Sequence, residues 1–420
     1  MAYCNTLIIK IASRCNINCT YCYMYNLGDN SYKNQPKFIS INTIDETVKK
    51  IRNHCKENGL TKFTCILHGG EPLLMPKNNF IEMLEKFNSL SKDNIKIVYA
   101  LQTNGMLIDE EWCAIFDKYN IGVGISIDGP KEINDKYRID KKGIGTYDSV
   151  IKGIQTSRKY QKGRLGFLSV MNLELDPLEA FQHMKSINAS TTDFLLLDAN
   201  YDTIAHENYD TEKTAAADWY VKIFNEWFNS SEDERIQIRF FDVIIHRILG
   251  GIYSIDNIGS GENSVLVLET DGGLEAVDVL KICGDSFTKD HININTHNFE
   301  DALNAPLAEI YYNSGKYLPK KCLACPVNDI CGGGYLPHRY SSKNGFNNPS
   351  VYCNDLLKLI TYIQNAVIDG MPEDLKNETG IQKLTYENAL SIIEENLPTI
   401  TEPNYVEKLE KFRKKEYGNN

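Results

Sequence analysis

Six short apolar runs, at residues 6–12, 63–67, 96–101, 122–127, 166–171 and 193–197, recur through the first half of the chain, with stretches of helical period between them. Strand–helix units in a row indicate a parallel sheet, with functional groups gathered at the carboxyl ends of the strands. Six units fall short of a closed eight-fold barrel. The expected architecture is therefore α/β, a partial (β/α)6 TIM-like barrel. Helical stretches are read at 80–90, 110–119, 147–159 and 178–186, after a first one in which Ile44, Val48, Ile51 and Cys55 share a face. Thr43 and Glu46 read as its capping-box pair and Gly59 as its end. A further helix at 214–228 closes this half, an expected domain of residues 1–230. Beyond it come a β-like run at 265–268 leading into Asp271-Gly272-Gly273, then a cysteine-rich region in an expected domain of 231–354. A helical extension over 355–420 completes the chain.

The cysteines are the main lead. There are twelve, and they cluster, which ordinary core usage would not produce. Residues 1–12 carry no basic n-region or small-residue cleavage site, and no run of 18 apolar residues exists. A cytoplasmic protein without a membrane span is expected, in which thiols serve as metal ligands, catalytic groups or core residues more readily than as disulfides. The net charge of −11 argues against a nucleic-acid partner, because such binders carry basic surfaces.

Cys15, Cys19 and Cys22 follow the first strand with spacing Cys-x3-Cys-x2-Cys. Three thiolates within eight residues can ligate three irons of a [4Fe–4S] cube, leaving the fourth iron open for a ligand. S-adenosylmethionine (SAM) can chelate such an iron through its amino and carboxylate groups, and an electron from the cluster then yields a 5′-deoxyadenosyl radical. A zinc site with a distant fourth ligand is the alternative, although zinc knuckles favour paired Cys-x2-Cys units. With the aromatic Tyr21 before its last cysteine, the motif resembles the signature of the radical SAM superfamily. Gly69-Gly70-Glu71-Pro72, ending the second strand, resembles the family's GGEP motif, and glycines suit a backbone that must approach a ligand closely. The resemblance implies that this segment holds the methionine amino group. It implies further SAM contacts at Thr103 and Asn104, at Ser126 and Asp128, and at Arg138 near the SAM carboxylate.

A second set, Cys322, Cys325, Cys331 and Cys353, supplies four thiolates, enough to ligate an auxiliary [4Fe–4S] cluster with no open iron. A Cys4 zinc ribbon is the alternative reading. The spacing resembles the SPASM domain of radical SAM peptide maturases. The chain departs from the full pattern: a further cysteine expected at Tyr335 is missing, as is one expected within 259–264, and Cys283 is left as a single ambiguous thiol. One auxiliary cluster is expected. Cys4, Cys55, Cys65 and Cys113 are expected to pack as small apolar residues.

The segments Cys331–Tyr340 and Asn344–Cys353, with Asp271-Gly272 and Val277–Lys281, resemble the branch of SPASM maturases that forms cyclophanes in ribosomally made precursor peptides. That resemblance implies a carbon–carbon crosslink between an aromatic ring and a nearby β-carbon, a precursor peptide as substrate, and a reductant such as flavodoxin or ferredoxin. Other SPASM reactions are the alternative: thioether formation, epimerisation, or formylglycine formation on a sulfatase. Crosslinking removes two electrons and a ring proton, so a base is needed. Asp198, after the sixth strand, and Asp278 are the candidates.

Overall fold

The computed structural model describes residues 3–207 and 209–413. Six parallel strands, β1 (Thr6–Ala12), β2 (Lys62–Gly69), β3 (Lys96–Thr103), β4 (Ile121–Ser126), β5 (Leu165–Val170) and β6 (Thr191–Leu195), lie side by side in sequence order. Sequential order in a parallel sheet requires crossovers of one hand, which wraps the helices onto one face and leaves the other to curl around a site. The crossovers carry α1 (Ile41–Glu57), α2 (Lys77–Asn88), α3 (Glu110–Tyr119), α4 (Lys131–Tyr137), α5 (Tyr147–Tyr160) and α6 (Pro177–Ser186); α7 (Ala215–Phe228) and α8 (Arg239–Ile248) follow. The expected α/β partial barrel is present.

The sheet reaches further than the six units. β7 (Gln237–Ile238) adds to β6, while β8 (Val265–Leu268) pairs in parallel with the far side of β1, and β9 (Leu274–Glu275) pairs antiparallel with β8. Nine strands in the order β7-β6-β5-β4-β3-β2-β1-β8-β9 form one sheet, so the chain on both sides of the expected division at 230/231 contributes to it.

Local rules account for most boundaries. α1 starts three residues earlier than a Thr43–Glu46 capping box allows. Ser40 is the N-cap, its Oγ accepting the Thr43 N–H at 3.0 Å, while Glu46 accepts from Lys49 at 2.6 Å on the surface. Ser and Thr are both good caps, and Ser40 wins because it stands in extended backbone where the chain enters the helix. Asp109 caps α3 in the same way. The long helix Cys353–Gly370 packs against α7 and α8. Its Asp355 accepts the Ala217 N–H at 2.9 Å and the Tyr209 hydroxyl at 2.7 Å, so one carboxylate ties the cysteine-rich region to the start of α7. Cys4, Cys55, Cys65 and Cys113 are buried in the barrel core. No described helix is long and apolar enough to cross a membrane.

Candidate active site

The site begins where β1 ends. Pairing between β1 and β2 slips between Lys10 and Ala12, a bulge-like irregularity that turns the chain toward Cys15. Gly69 and Gly70 pack against that turn. A Cβ on Gly69 would meet the Ala12 oxygen at 2.2 Å, and one on Gly70 would meet the Tyr25 hydroxyl at 2.0 Å. Gly70 N–H donates to Ala12 O at 2.9 Å and Glu71 N–H to Arg14 O at 3.0 Å. The glycine pair is thus the seat on which the cysteine loop rests. On its other side the loop is stitched to the chain after α4, Asn18 N–H donating to Ile139 O at 2.7 Å and Thr20 N–H to Tyr137 O at 2.9 Å. Arg138 is thereby set beside the cysteines.

These elements wall a cavity of about 400 Å³ over the carboxyl ends of the strands. Cys15, Tyr21, Cys19, Cys22, Gly69, Gly70, Thr103, Asn104, Ser126, Asp128 and Arg138 line it, as do Asp198 and Asp278 opposite. Glu71 and Pro72 do not. Glu71 lies behind the wall and accepts from Leu73 N–H at 3.0 Å, Thr103 Oγ1 at 2.7 Å and Asn104 N–H at 2.8 Å. Its carboxylate clamps the end of β3 to the end of β2, and burial pushes its pKa up against those three bonds. The sequence pattern puts Glu71 at a strand end but does not reveal which way its side chain turns.

Burial raises all three loop thiols, Cys15 to about 12 and Cys22 to about 11, so each stays protonated unless a metal displaces the proton. Arg138 NH1 donates to the Tyr21 hydroxyl at 2.9 Å, and that hydroxyl donates to Asp128. Asp128 also accepts the Val170 N–H at 3.0 Å. Arg138 is only 6% exposed, and among the described residues its Nε–H has no partner. Leaving a buried donor unmet costs about 1–3 kcal/mol, so such an atom points to a missing acceptor.

The two candidate carboxylates differ sharply. Asp278 accepts from Lys10 Nζ and, at 2.6 Å, from the Tyr23 hydroxyl, while Lys10 also reaches His68 Nδ1 at 3.0 Å. Burial alone would push its pKa up, but Lys10, His68 and Tyr23 together hold it well below the usual carboxylate range. Lys10 sits in the middle of the apolar strand TLIIKIA and is fully buried, a lysine tolerated there because it is paired. Asp198 has no such donors. Burial, with the charges of Asp278 and Asp256, lifts it to about 7. A buried ion network of Lys281, Glu269, Glu275 and Asp29 lies next to Asp278 in sequence and joins the loop after Cys22 to the β8–β9 turn.

Some cavity residues were not among the candidate site residues read from the sequence. Tyr23, His68, Asp256, Asn257, Tyr335 and His338 all line it. Tyr23 and His68 adjoin motifs already singled out, and Lys10 stood out only as a charge within an apolar run.

The second thiol set is also brought together. Cys322, Cys325, Cys331 and Cys353 line one small pocket with Val327, Leu357 and Ile393. Short helical turns at Lys320–Leu323 and Asn328–Cys331, and the start of the Cys353–Gly370 helix, aim them inward. Burial comes first in raising each thiol, Cys322 to about 12 and Cys325 to about 11, and neighbouring cysteines raise these two and Cys331 further. Among the described residues no three His, Cys, Asp or Glu are drawn together as they would be around a single metal ion. Four thiols around one pocket are the donor set of a fully ligated [4Fe–4S] cluster, and a Cys4 zinc site uses the same four. Cys283 is buried and lines neither cavity.

Residues 9–182 match the family model of the radical SAM superfamily. Among curated proteins, the chain is 27% identical over 83% of its length to a cysteine-type anaerobic sulfatase-maturating enzyme of Clostridium novyi, covering 91% of that enzyme. It is 23% identical over 92% of its length to a serine-type anaerobic sulfatase-maturating enzyme of Bacteroides thetaiotaomicron, covering 96% of it. Among solved structures, anSMEcpe with bound AdoMet and the Cp18Cys peptide superposes with a TM-score of 0.74 at 23% identity, over 87% of this chain and 98% of that one. That likeness shows a shared fold. The barrel, its cysteine loop and the match of residues 9–182 to the radical SAM model agree: the chain is an enzyme with a [4Fe–4S] cluster and SAM as its cofactors.

Proposed function

We propose that this enzyme removes two hydrogens, and with them two electrons, from a side chain of a peptide substrate. The observation that carries the reading is a single cavity with three thiols and a buried guanidinium, whose Nε–H lacks a partner among the described residues, on one wall and a carboxylate poised near neutrality on the other.

Cys15, Cys19 and Cys22 would hold the cluster, and Arg138 Nε–H would find its acceptor in the SAM carboxylate. Tyr21 and Asp128 hold the guanidinium in place for that contact. Gly69 and Gly70 keep the neighbouring wall free of side chains, and Thr103, Asn104 and Ser126 complete the SAM side. When bound, the cluster and SAM supply an adenosyl radical that takes one hydrogen atom. The remaining hydrogen leaves as a proton, and Asp198 is its acceptor: a base works best with a pKa near the operating pH. Asp278, engaged by Lys10 and Tyr23, instead fixes the floor of the cavity. Cys322, Cys325, Cys331 and Cys353 would hold one auxiliary [4Fe–4S] cluster, an acceptor for the electron left behind. Flavodoxin or ferredoxin is the reductant class that suits the first cluster.

Two products fit this chemistry. The likeness of the segments Cys331–Tyr340 and Asn344–Cys353 to cyclophane-forming maturases supports a carbon–carbon crosslink, and Tyr335 standing in place of a further cluster cysteine sets the chain apart from the full SPASM pattern. Similarity to sulfatase-maturating enzymes along most of both chains supports oxidation of a cysteine or serine. Co-expression with a peptide encoded beside the gene, followed by intact mass and fragmentation, tests both. A crosslink loses two hydrogens and suppresses backbone fragments between the joined residues. An oxidised serine loses two hydrogens and gains a hydrazine-reactive aldehyde, and an oxidised cysteine reaches the same aldehyde by losing two hydrogens and exchanging its sulfur, released as sulfide, for an oxygen from water. Unchanged mass alongside vigorous SAM cleavage would remove the proposal.

A further inference from the structure

His338 is the one cavity-lining histidine whose two ring nitrogens both lack a hydrogen-bond partner among the described residues, although its side chain is only 3% exposed. The ring is not loose. It stands edge-on between Tyr335 and Tyr352, with centroids 5.3 and 5.0 Å away. Its own carbonyl accepts the Val351 N–H at 2.9 Å, and Tyr352 OH donates to Leu197 O at 2.9 Å beside Asp198. A rigid, buried imidazole with unmet hydrogen bonds, facing a cavity, calls for a polar ligand.

Its Nε2 faces Asp198 Oδ1 across 3.9 Å. That is too long for a direct hydrogen bond, yet short enough for one further atom to lie within ordinary bonding distance of both. The carboxylate favours the tautomer with its proton on Nε2. Burial pushes the imidazole down to about 3, so it stays neutral. The gap is then bounded by a donor on one side and an acceptor on the other. An amide N–H can only donate and a carbonyl can only accept, whereas an aromatic C–H does neither well. A hydroxyl or thiol does both.

Resting on the proposed peptide oxidation, we infer that His338 is a substrate-contacting residue which, with Asp198, binds an O–H or S–H group of the peptide. The group accepts from His338 Nε2–H and donates to Asp198 Oδ1, which brings the substrate proton to the carboxylate. Asp278, Asp256 and Arg239 also line the cavity: Lys10 holds Asp278 well below the usual carboxylate range, whereas burial raises Asp256 against the nearby Arg239.

The test uses cluster-reconstituted enzyme carrying 15N-labelled histidine. In the free protein the His338 ring is expected as the neutral Nε2–H tautomer, and Asp198→Asn should weaken that preference. N-acetylserine and N-acetylcysteine methylamides should move the Nε2 resonance, while the alanine and phenylalanine analogues should not. Followed from the ligand side, His338→Leu should weaken the serine and cysteine derivatives about tenfold, roughly the loss of one buried hydrogen bond, and His338→Gln should recover part of that. An Nδ1–H tautomer, no response to the serine and cysteine derivatives up to their solubility, or an equal response to alanine or phenylalanine would overturn the inference. SAM cleavage by the wild-type enzyme is measured beside it. Its absence would remove the proposed function itself, whereas cleavage without the resonance change removes only the role of His338.

Discussion

The molecule holds two thiol sites built on opposite plans. The three-thiol loop opens into a cavity of about 400 Å³, shared with two arginines and four aspartates, and its seat is a pair of glycines. The four-thiol site is closed down to about 20 Å³. Valine, leucine and isoleucine line it beside Lys321, Asn328 and Gly333, and the isoleucine comes from far along the chain, on the helix Tyr386–Asn396. Asn396 donates to Ala324 O at 3.4 Å on the same side. The C-terminal extension therefore covers the second site. One site has room for a ligand beside its thiols and the other has little room beyond them, which is the division that an initiating cluster and an electron acceptor require.

The largest expected effect separates the sites outright. Cys19→Ala should abolish 5′-deoxyadenosine formation and remove the iron of the first site alone, leaving that of the second, as read by iron and sulfide analysis with Mössbauer spectroscopy. Full SAM cleavage by this variant would erase the distinction. Cys325→Ala should do the reverse: peptide product is lost while some uncoupled 5′-deoxyadenosine continues to form, measured by chromatography of both. Normal product yield would show that the closed site accepts no electron.

A third test contrasts the two carboxylates across the open cavity. With Asp198 lifted to about 7 by burial and by its acidic neighbours, it is protonated below that pH and a competent base above it. Product formation should climb as pH rises through about 7 and then level off. Asp198→Asn should lower the rate on the order of 100-fold and flatten the climb. A wild-type profile flat between pH 6 and 8 would return the base to Asp278. The smallest effect belongs to the cover of the closed site. Ile393→Ala should hasten bleaching of the second cluster in air a few-fold while leaving the first unaffected, since solvent access governs the exposure of such a cluster. Equal lability of the two would mean that the extension shields nothing.

How far the sequence revealed this depended on whether a feature is local. β1 and α3 are bounded where an apolar run and an aspartate cap put them, because both signals act within a few residues. Both cysteine sets were legible from spacing. What spacing does not carry is direction and long-range pairing. Glu71 lies in a recognisable motif yet turns away from the cavity to bind Thr103 and Asn104, and Asp278 is neutralised by Lys10, 268 residues away. β8 and β9 look like part of a separate cysteine-rich unit, but they complete the barrel sheet, because the outer edge of β1 would otherwise go unpaired. His338 lies in the Cys331–Tyr340 segment that carries the resemblance, but nothing there sets it apart from its neighbours; its burial without partners among the described residues does.

The most direct test of the central claim is electron paramagnetic resonance of the anaerobically reconstituted, dithionite-reduced enzyme, recorded with and without SAM. One of two cluster signals should change on SAM addition, and that responsive signal should vanish in Cys19→Ala and persist in Cys325→Ala. A spectrum in which SAM perturbs neither signal, or perturbs the one that depends on Cys325, would contradict the assignment of an open site and a closed one.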